Sequence, residues 1–186
     1  MERLKSIEEL RNLRALLVEE VFRPEMNWAK VCCGLPCSAL GSQKVVEALQ
    51  EKAPKSGPEI EVVKTGCQGL CQRGPLVKAE PYGYFYQKVG PEKVEEIIST
   101  TYSAGLPVRE LLYRDSFLEE PIEFMEEVPF YKKQMKIVLR NTGSIDPCNI
   151  YHYIAVGGYK AAEKVFSSMS PEDVLEEVKK ANLRGR

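Results

Sequence analysis

The chain has 186 residues, enough for one domain with a proper core and a smaller appendage. Its 26 basic and 27 acidic residues nearly cancel, which excludes bulk electrostatic attraction to nucleic acid or an acidic membrane as the basis of function. No N-terminal apolar run follows basic residues and no stretch approaches the ~18–20 apolar residues that span a bilayer. A cytoplasmic protein without direct membrane insertion is therefore expected, and in that reducing compartment six cysteines point to metal or redox chemistry rather than disulfides.

Ile7, Leu10, Leu13, Leu17 and Val21 recur at helical spacing, with Ser6 and Glu9 placed as a capping box, and predict an amphipathic helix covering one side of a core. A strand over 28–31 leads into the loop Val31-Cys32-Cys33-Gly34-Leu35-Pro36-Cys37. A helix over 42–52 buries Val45, Val46 and Leu49 and is stopped by Pro54 and Gly57-Pro58. A second strand, 60–64, delivers the chain into Thr65-Gly66-Cys67-Gln68-Gly69-Leu70-Cys71-Gln72-Arg73-Gly74-Pro75. Residues 75–79 and 82–87 form a hairpin turned at Pro81 and Gly83. Gly90-Pro91 opens a helix with Val94, Ile97 and Ile98 on one face before Gly105. This α/β order is that of a thioredoxin-like fold with an added N-terminal helix, although order alone does not set strand pairing.

Glu119, Glu120, Glu123, Glu126 and Glu127, followed by Lys132, Lys133 and Lys136 and interrupted by Pro121 and Pro129, read as a solvated linker. Beyond it lie an expected strand over 136–140 and helices opened by Asp146-Pro147 and Ser170-Pro171, the last with Val174, Leu175 and Val178 on one side. These elements bury little, so they read as the entrance to a larger domain. The expected domains are 1–112, a charged linker over 113–136, and 137–186.

Cys32-x4-Cys37 and Cys67-x3-Cys71 set four soft anionic ligands in two glycine-containing loops, a thiolate cage for a 2Fe-2S cluster with Cys32, Cys37, Cys67 and Cys71 as ligands. Zinc takes four cysteines too, though its structural sites favour C-x2-C turns; a zinc-binding structural or assembly module without redox activity is the alternative. A thioredoxin-type Cys-x-x-Cys pair is missing. Cys33 offers an equally spaced Cys33-x3-Cys37 pair; Cys32 is preferred, leaving Cys33 as a spare thiol. Cys148 reads as structural. So does His152, the single histidine, which leaves no Rieske-type pair. No phosphate loop or dinucleotide fingerprint occurs.

Cys32-x4-Cys37 with Gly41-Ser42, then Gly66-Cys67-x-Gly69-x-Cys71-x-x-Gly74-Pro75, resembles the thioredoxin-like 2Fe-2S ferredoxin domain. Pro129-Phe130-Tyr131-Lys132-Lys133-Gln134, Gly143-x-Ile145-Asp146-Pro147, Ala155-x-Gly157-Gly158-Tyr159 and Leu183-Arg184-Gly185-Arg186 resemble the start of the NADH-binding flavoprotein subunit of respiratory complex I. The combination is similar to the diaphorase subunit of NADH-dependent, electron-bifurcating hydrogenases and formate dehydrogenases. The resemblance implies a ferredoxin domain followed by the first elements of an α/β flavoprotein domain, with other subunits of a multisubunit NADH-linked oxidoreductase as partners. It also implies that Gly34, Gly66, Gly69 and Gly74 permit the loop conformations and that Pro75 restricts the exit. FMN, NAD and 4Fe-4S would belong to a part beyond this chain, which would stop ahead of the FMN loop. A complete subunit would be an NADH:acceptor oxidoreductase; this portion would carry electrons and no catalytic residue.

Overall fold

The computed structural model describes residues 3–23, 25–55, 57–115, 118–182, 184 and 185. Leu183 and Arg186 of the last motif above lie outside them. The chain divides into two compact units, Arg23–Asn149 and Met1–Phe22 with Ile150–Arg186.

The larger unit is built on a four-stranded mixed sheet of β1 (Asn27–Cys32), β2 (Ile60–Thr65), β3 (Val77–Glu80) and β4 (Tyr84–Tyr86), ordered β2-β1-β3-β4. β1 runs parallel to β2, with Cys32 opposite Thr65, and antiparallel to β3, with Val31 opposite Val77. β1 is therefore an inner strand, and it is buried along Trp28–Cys32, as a strand covered on both faces must be.

Alternation along β1 assigns its side chains to two cores. Ala29 and Val31 join a core with Val45, Val46 and Leu49 of α3 (Ser42–Lys52) and with Val94, Ile97 and Ile98. Each fully buried Val or Leu there contributes about 1.5–3 kcal/mol before conformational entropy is counted. The last three lie on a helix that opens as a 3-10 turn at Pro91–Lys93, continues as α4 (Val94–Ile97) and ends in a π-turn, Ile98–Ser103. Cys32, pointing to the opposite face, joins Cys37, Leu76, Phe85, Tyr113, Ile122, Val128 and Tyr131.

That second core draws four of its members from the charged stretch. Residues 111–113 and 122–124 run beside β4, with Gln87 N–H donating to Leu111 O at 2.8 Å and Phe85 N–H to Glu123 O at 2.8 Å. Glu126 pairs with Lys78 of β3 at 2.8 Å. Burial alone would raise the Glu126 carboxyl, but the Lys78 ammonium and hydrogen bond bring it below its ordinary value. The short α5 (Pro129–Lys132) then buries Tyr131.

The strand expected over 136–140 is not formed: the backbone turns there, and Met135, Ile137, Val138 and Leu139 are 62–88% exposed. Apolar residues in a row do not make a strand without a partner edge. Asp146 does not cap a helix directly. Its Oδ1 accepts from Cys148 N–H at 2.8 Å, and α6 (Ile150–Ala155) starts four residues on.

In the smaller unit, α1 (Ile7–Val21) places Leu10, Leu13, Leu17 and Val21 against Ile154 and Ala155 of α6. Ser6 Oγ accepts from Glu9 N–H at 3.1 Å, but the Glu9 carboxylate accepts from Lys5 N–H rather than closing the box on Ser6. α7 (Lys160–Ser168) ties to α1 through Glu163, which meets Arg11 at 2.7 Å and Arg14 at 3.1 Å. α8 (Pro171–Ala181) carries a full capping box between Ser170 and Asp173. Among the described residues, no helix is long and apolar enough to cross a membrane.

Candidate metal centre

The first thiol pair grows out of the central strand. Cys32 ends β1, its N–H held by Leu76 O at 2.9 Å. Gly34 and Pro36 turn the chain into the short α2 (Leu35–Ala39), a helix the sequence reading did not foresee, and α2 carries Cys37 back beneath the strand end. Both thiols are 1% exposed. Cys37 is pushed up to about 12, first by desolvation and then by its hydrogen bond with the Cys32 thiol, against a Leu76 N–H that donates to its sulfur.

The second pair lies on the loop after β2. Cys67 is exposed and Cys71, at the start of a 3-10 turn ending at Arg73, is half-buried. Desolvation and then a thiol-to-thiol hydrogen bond with Cys67 raise Cys71. The two cysteine loops lie side by side, Gly34 of the first against Cys67 and Gly74 of the second against Cys37.

Two glycines set how closely they approach. A Cβ on Gly34 would stand 2.8 Å from Cys67 Cβ and 3.1 Å from its Cα. A Cβ on Gly74 would stand 2.7 Å from Cys37 Sγ. Neither contact is tolerable, so each loop presents bare backbone to a cysteine of the other pair. The Gly74–Pro75 peptide that leaves the second loop is cis.

Cys33 is directed elsewhere. Its side chain packs against the α3 core, where Ser42 Oγ lies 3.9 Å from its sulfur. Desolvation, partly offset by that Ser42 contact, raises its thiol. Cys32 and Cys33 thus pack into different cores. Cys148 is exposed on the turn before α6, and His152 sits on α6 in the other compact unit.

Among the described residues, no three potential ligands surround one point; the thiols stand two and two. A 2Fe-2S cluster asks for that division, since each of its irons takes two protein ligands. Soft thiolate donors, two loops side by side and glycines keeping the space between them clear together fit such a cluster.

Sequence reasoning singled out the thiols but not their surroundings. Tyr131 O–H donates to Gln68 O at 2.8 Å, and Phe130 lies on Gly69. Both belong to a motif noted above for its resemblance alone. Their aromatic character beside a buried valine was the available signal.

The family described as thioredoxin-like [2Fe-2S] ferredoxin matches residues 24–102. The 2Fe-2S ferredoxin of Aquifex aeolicus is 35% identical over 80 residues, spanning 41% of this chain and 71% of that one. The solved wild-type thioredoxin-like [2Fe-2S] ferredoxin from Aquifex aeolicus superposes with a TM-score of 0.44 at 30% identity, covering 49% of this chain and 99% of that one. The NADP-reducing hydrogenase subunit HndC of Solidesulfovibrio fructosivorans is 49% identical over 55 residues, which are 30% of this chain and 11% of that subunit.

Proposed function

The chain belongs to the thioredoxin-like [2Fe-2S] ferredoxin family, and from that membership we propose that Cys32, Cys37, Cys67 and Cys71 hold a 2Fe-2S cluster through which it passes electrons to and from protein partners. The observation that carries the ligand assignment is the close approach of the two cysteine loops, Gly34 against Cys67 and Gly74 against Cys37 Sγ, with Cys33 packed into the α3 core instead.

When bound, the cluster takes up and releases one electron at a time without bonding a substrate. The chain's own residues supply three further things. The thiols surrender their protons on loading, which makes assembly a competition with protons. Leu76, Phe85, Tyr113, Ile122, Val128 and Tyr131 wall off Cys32 and Cys37 from water. Leu76 N–H donates to the Cys37 sulfur and favours its anionic form. The exposed Cys67 and half-buried Cys71 leave one open side, and electrons enter and leave there.

We place this module in a multisubunit, NADH-linked and cytoplasmic oxidoreductase of hydrogenase or formate dehydrogenase type, as a relay or a branch beside a bifurcating flavin centre. Residues 137–186 then lead into the flavoprotein portion, and FMN, NAD and 4Fe-4S belong to that portion. Similarity to a subunit of an NADP-reducing hydrogenase supports this assignment.

Anaerobic purification with iron, sulfide and zinc analysis tests the proposal. About two irons and two sulfides per chain, with an S = 1/2 resonance after dithionite, are expected. One zinc per chain and no resonance would replace electron transfer by a structural metal.

A further inference from the structure

Resting on the cluster reading, we propose that Tyr131 is the positioning residue of the second cysteine loop: its buried hydroxyl pins the Gln68 carbonyl beside Cys67, and the segment around it straps that loop down. Cys67 is the exposed member of the ligand set and lies in a loop beyond the end of β2. Left to itself, such a loop would hold its thiol loosely and admit water.

The contacts that restrain it come from residues outside the 24–102 family match. Tyr131 is 8% exposed and Gln68 is 2% exposed, and the hydroxyl of one donates to the main-chain oxygen of the other at 2.8 Å. The Tyr131 ring meets Phe85 edge-to-face at 6.0 Å and Phe130 at 5.1 Å, and the Lys136 ammonium lies 4.7 Å above it. These neighbours fix the ring so that the hydroxyl has one direction to point. Phe130 in turn lies on Gly69, where φ is +93° and an added Cβ would stand 3.2 Å from the ring. Gly143, at φ +87°, lets the chain pass flat against the Gln68 side chain, whose Nε2 reaches Thr65 Oγ1 at 3.4 Å. Two successive residues of the loop, Gln68 and Gly69, are thus covered by Phe130, Tyr131 and Gly143.

Two effects on the cluster follow. Pinning Gln68 slows opening of the loop and with it ligand exchange. Covering the loop also keeps water from a site that becomes more negative on reduction, so removing the cover raises the reduction potential.

The test uses the full loaded chain with Tyr131→Phe and Tyr131→Ala, reading chelator-driven cluster loss, midpoint potential and hydrogen exchange of residues 66–71. Tyr131→Phe keeps the ring and loses the donor; loop exchange and cluster loss should rise about five- to tenfold, the factor corresponding to one net hydrogen bond, with the potential nearly unchanged. Tyr131→Ala should do the same and also move the potential upward. Unchanged exchange and cluster loss in Tyr131→Phe would overturn the proposal even if Tyr131→Ala does not fold. So would a lowered melting temperature in Tyr131→Ala with potential and resonance unaltered, which is what a merely structural tyrosine would give. If the wild-type chain takes up no cluster, the ferredoxin reading fails separately, and loop exchange in the metal-free variants still decides whether Tyr131 pins the loop.

Discussion

Cys32 and Cys37 are each 1% exposed, anchored at the end of an inner strand and on the helix that follows it, whereas Cys67 is exposed and Cys71 half-buried on a loop beyond an edge strand. The proposed ligand thiols are therefore held in two ways. Hydrogen-bonded strand and apolar core fix the first pair, and the second pair depends on side chains brought from elsewhere in the chain. A redox site has use for both, since a rigid dry side limits reorganisation and an open side lets electrons pass at short range. On the proposed ligand assignment, the difference means that exposure at Cys67 marks the port rather than a weaker claim to be a ligand.

Substitutions of the thiols should separate the two sides most strongly. Cys37→Ser is expected to abolish bound iron, because a buried serine in an apolar wall neither ionises readily nor moves. Cys67→Ser, on the loop side, should retain part of the iron with an altered resonance. Equal and complete loss in both, by iron analysis, would erase the distinction.

Next in size is the wall. Leu76 is fully buried, and Leu76→Ala should cost about 2–5 kcal/mol in chemical denaturation. It should also raise the cluster potential by admitting water beside Cys37.

Gly34→Ala probes the approach of the loops, since its Cβ would meet Cys67 backbone at 3.1 Å. About 1–3 kcal/mol of destabilisation is expected from such overpacking, together with lower cluster occupancy. Unchanged occupancy would show that the loops separate freely.

The smallest effect lies away from both loops and serves as their control. Hydrogen bonds from Arg11 and then Arg14, with their charges, hold the Glu163 carboxyl below its ordinary value. A carboxyl depressed on folding contributes stability that is present above its unfolded pKa, near 4.5, and is lost as pH falls through the lower folded value. Thermal melting of the smaller unit should therefore weaken in that acidic window, and Glu163→Gln should flatten the dependence. The cluster resonance should not change with this substitution.

Much of this was legible in the sequence. The helix expected over 42–52 is α3, residue for residue, because glycine precedes it and Val45, Val46 and Leu49 keep strict spacing. Ser170-Pro171 gave the start of α8 because cap chemistry is local. Between Cys32 and Cys33 the spacing was ambiguous, and only their packing into different cores separates the two.

Other features were hidden for physical reasons. Gly34 and Pro36 read as loop, yet proline at a helix start is compatible with the single turn of α2. In the stretch 113–136, charge dominates the composition, while Tyr113, Ile122, Val128 and Tyr131 are too widely spaced to show periodicity and are buried by tertiary contacts alone. Met135, Ile137, Val138 and Leu139 suggested a strand through propensity, and no neighbouring edge takes them.

The most direct test of the central claim compares Cys32→Ser and Cys33→Ser side by side, by iron content and electron paramagnetic resonance of the dithionite-reduced chain. Loss or strong alteration of the signal in Cys32→Ser, with Cys33→Ser like the wild type, is the predicted result. The reverse pattern would contradict the assignment of Cys32 to the cluster, and with it the two-sided site built around β1.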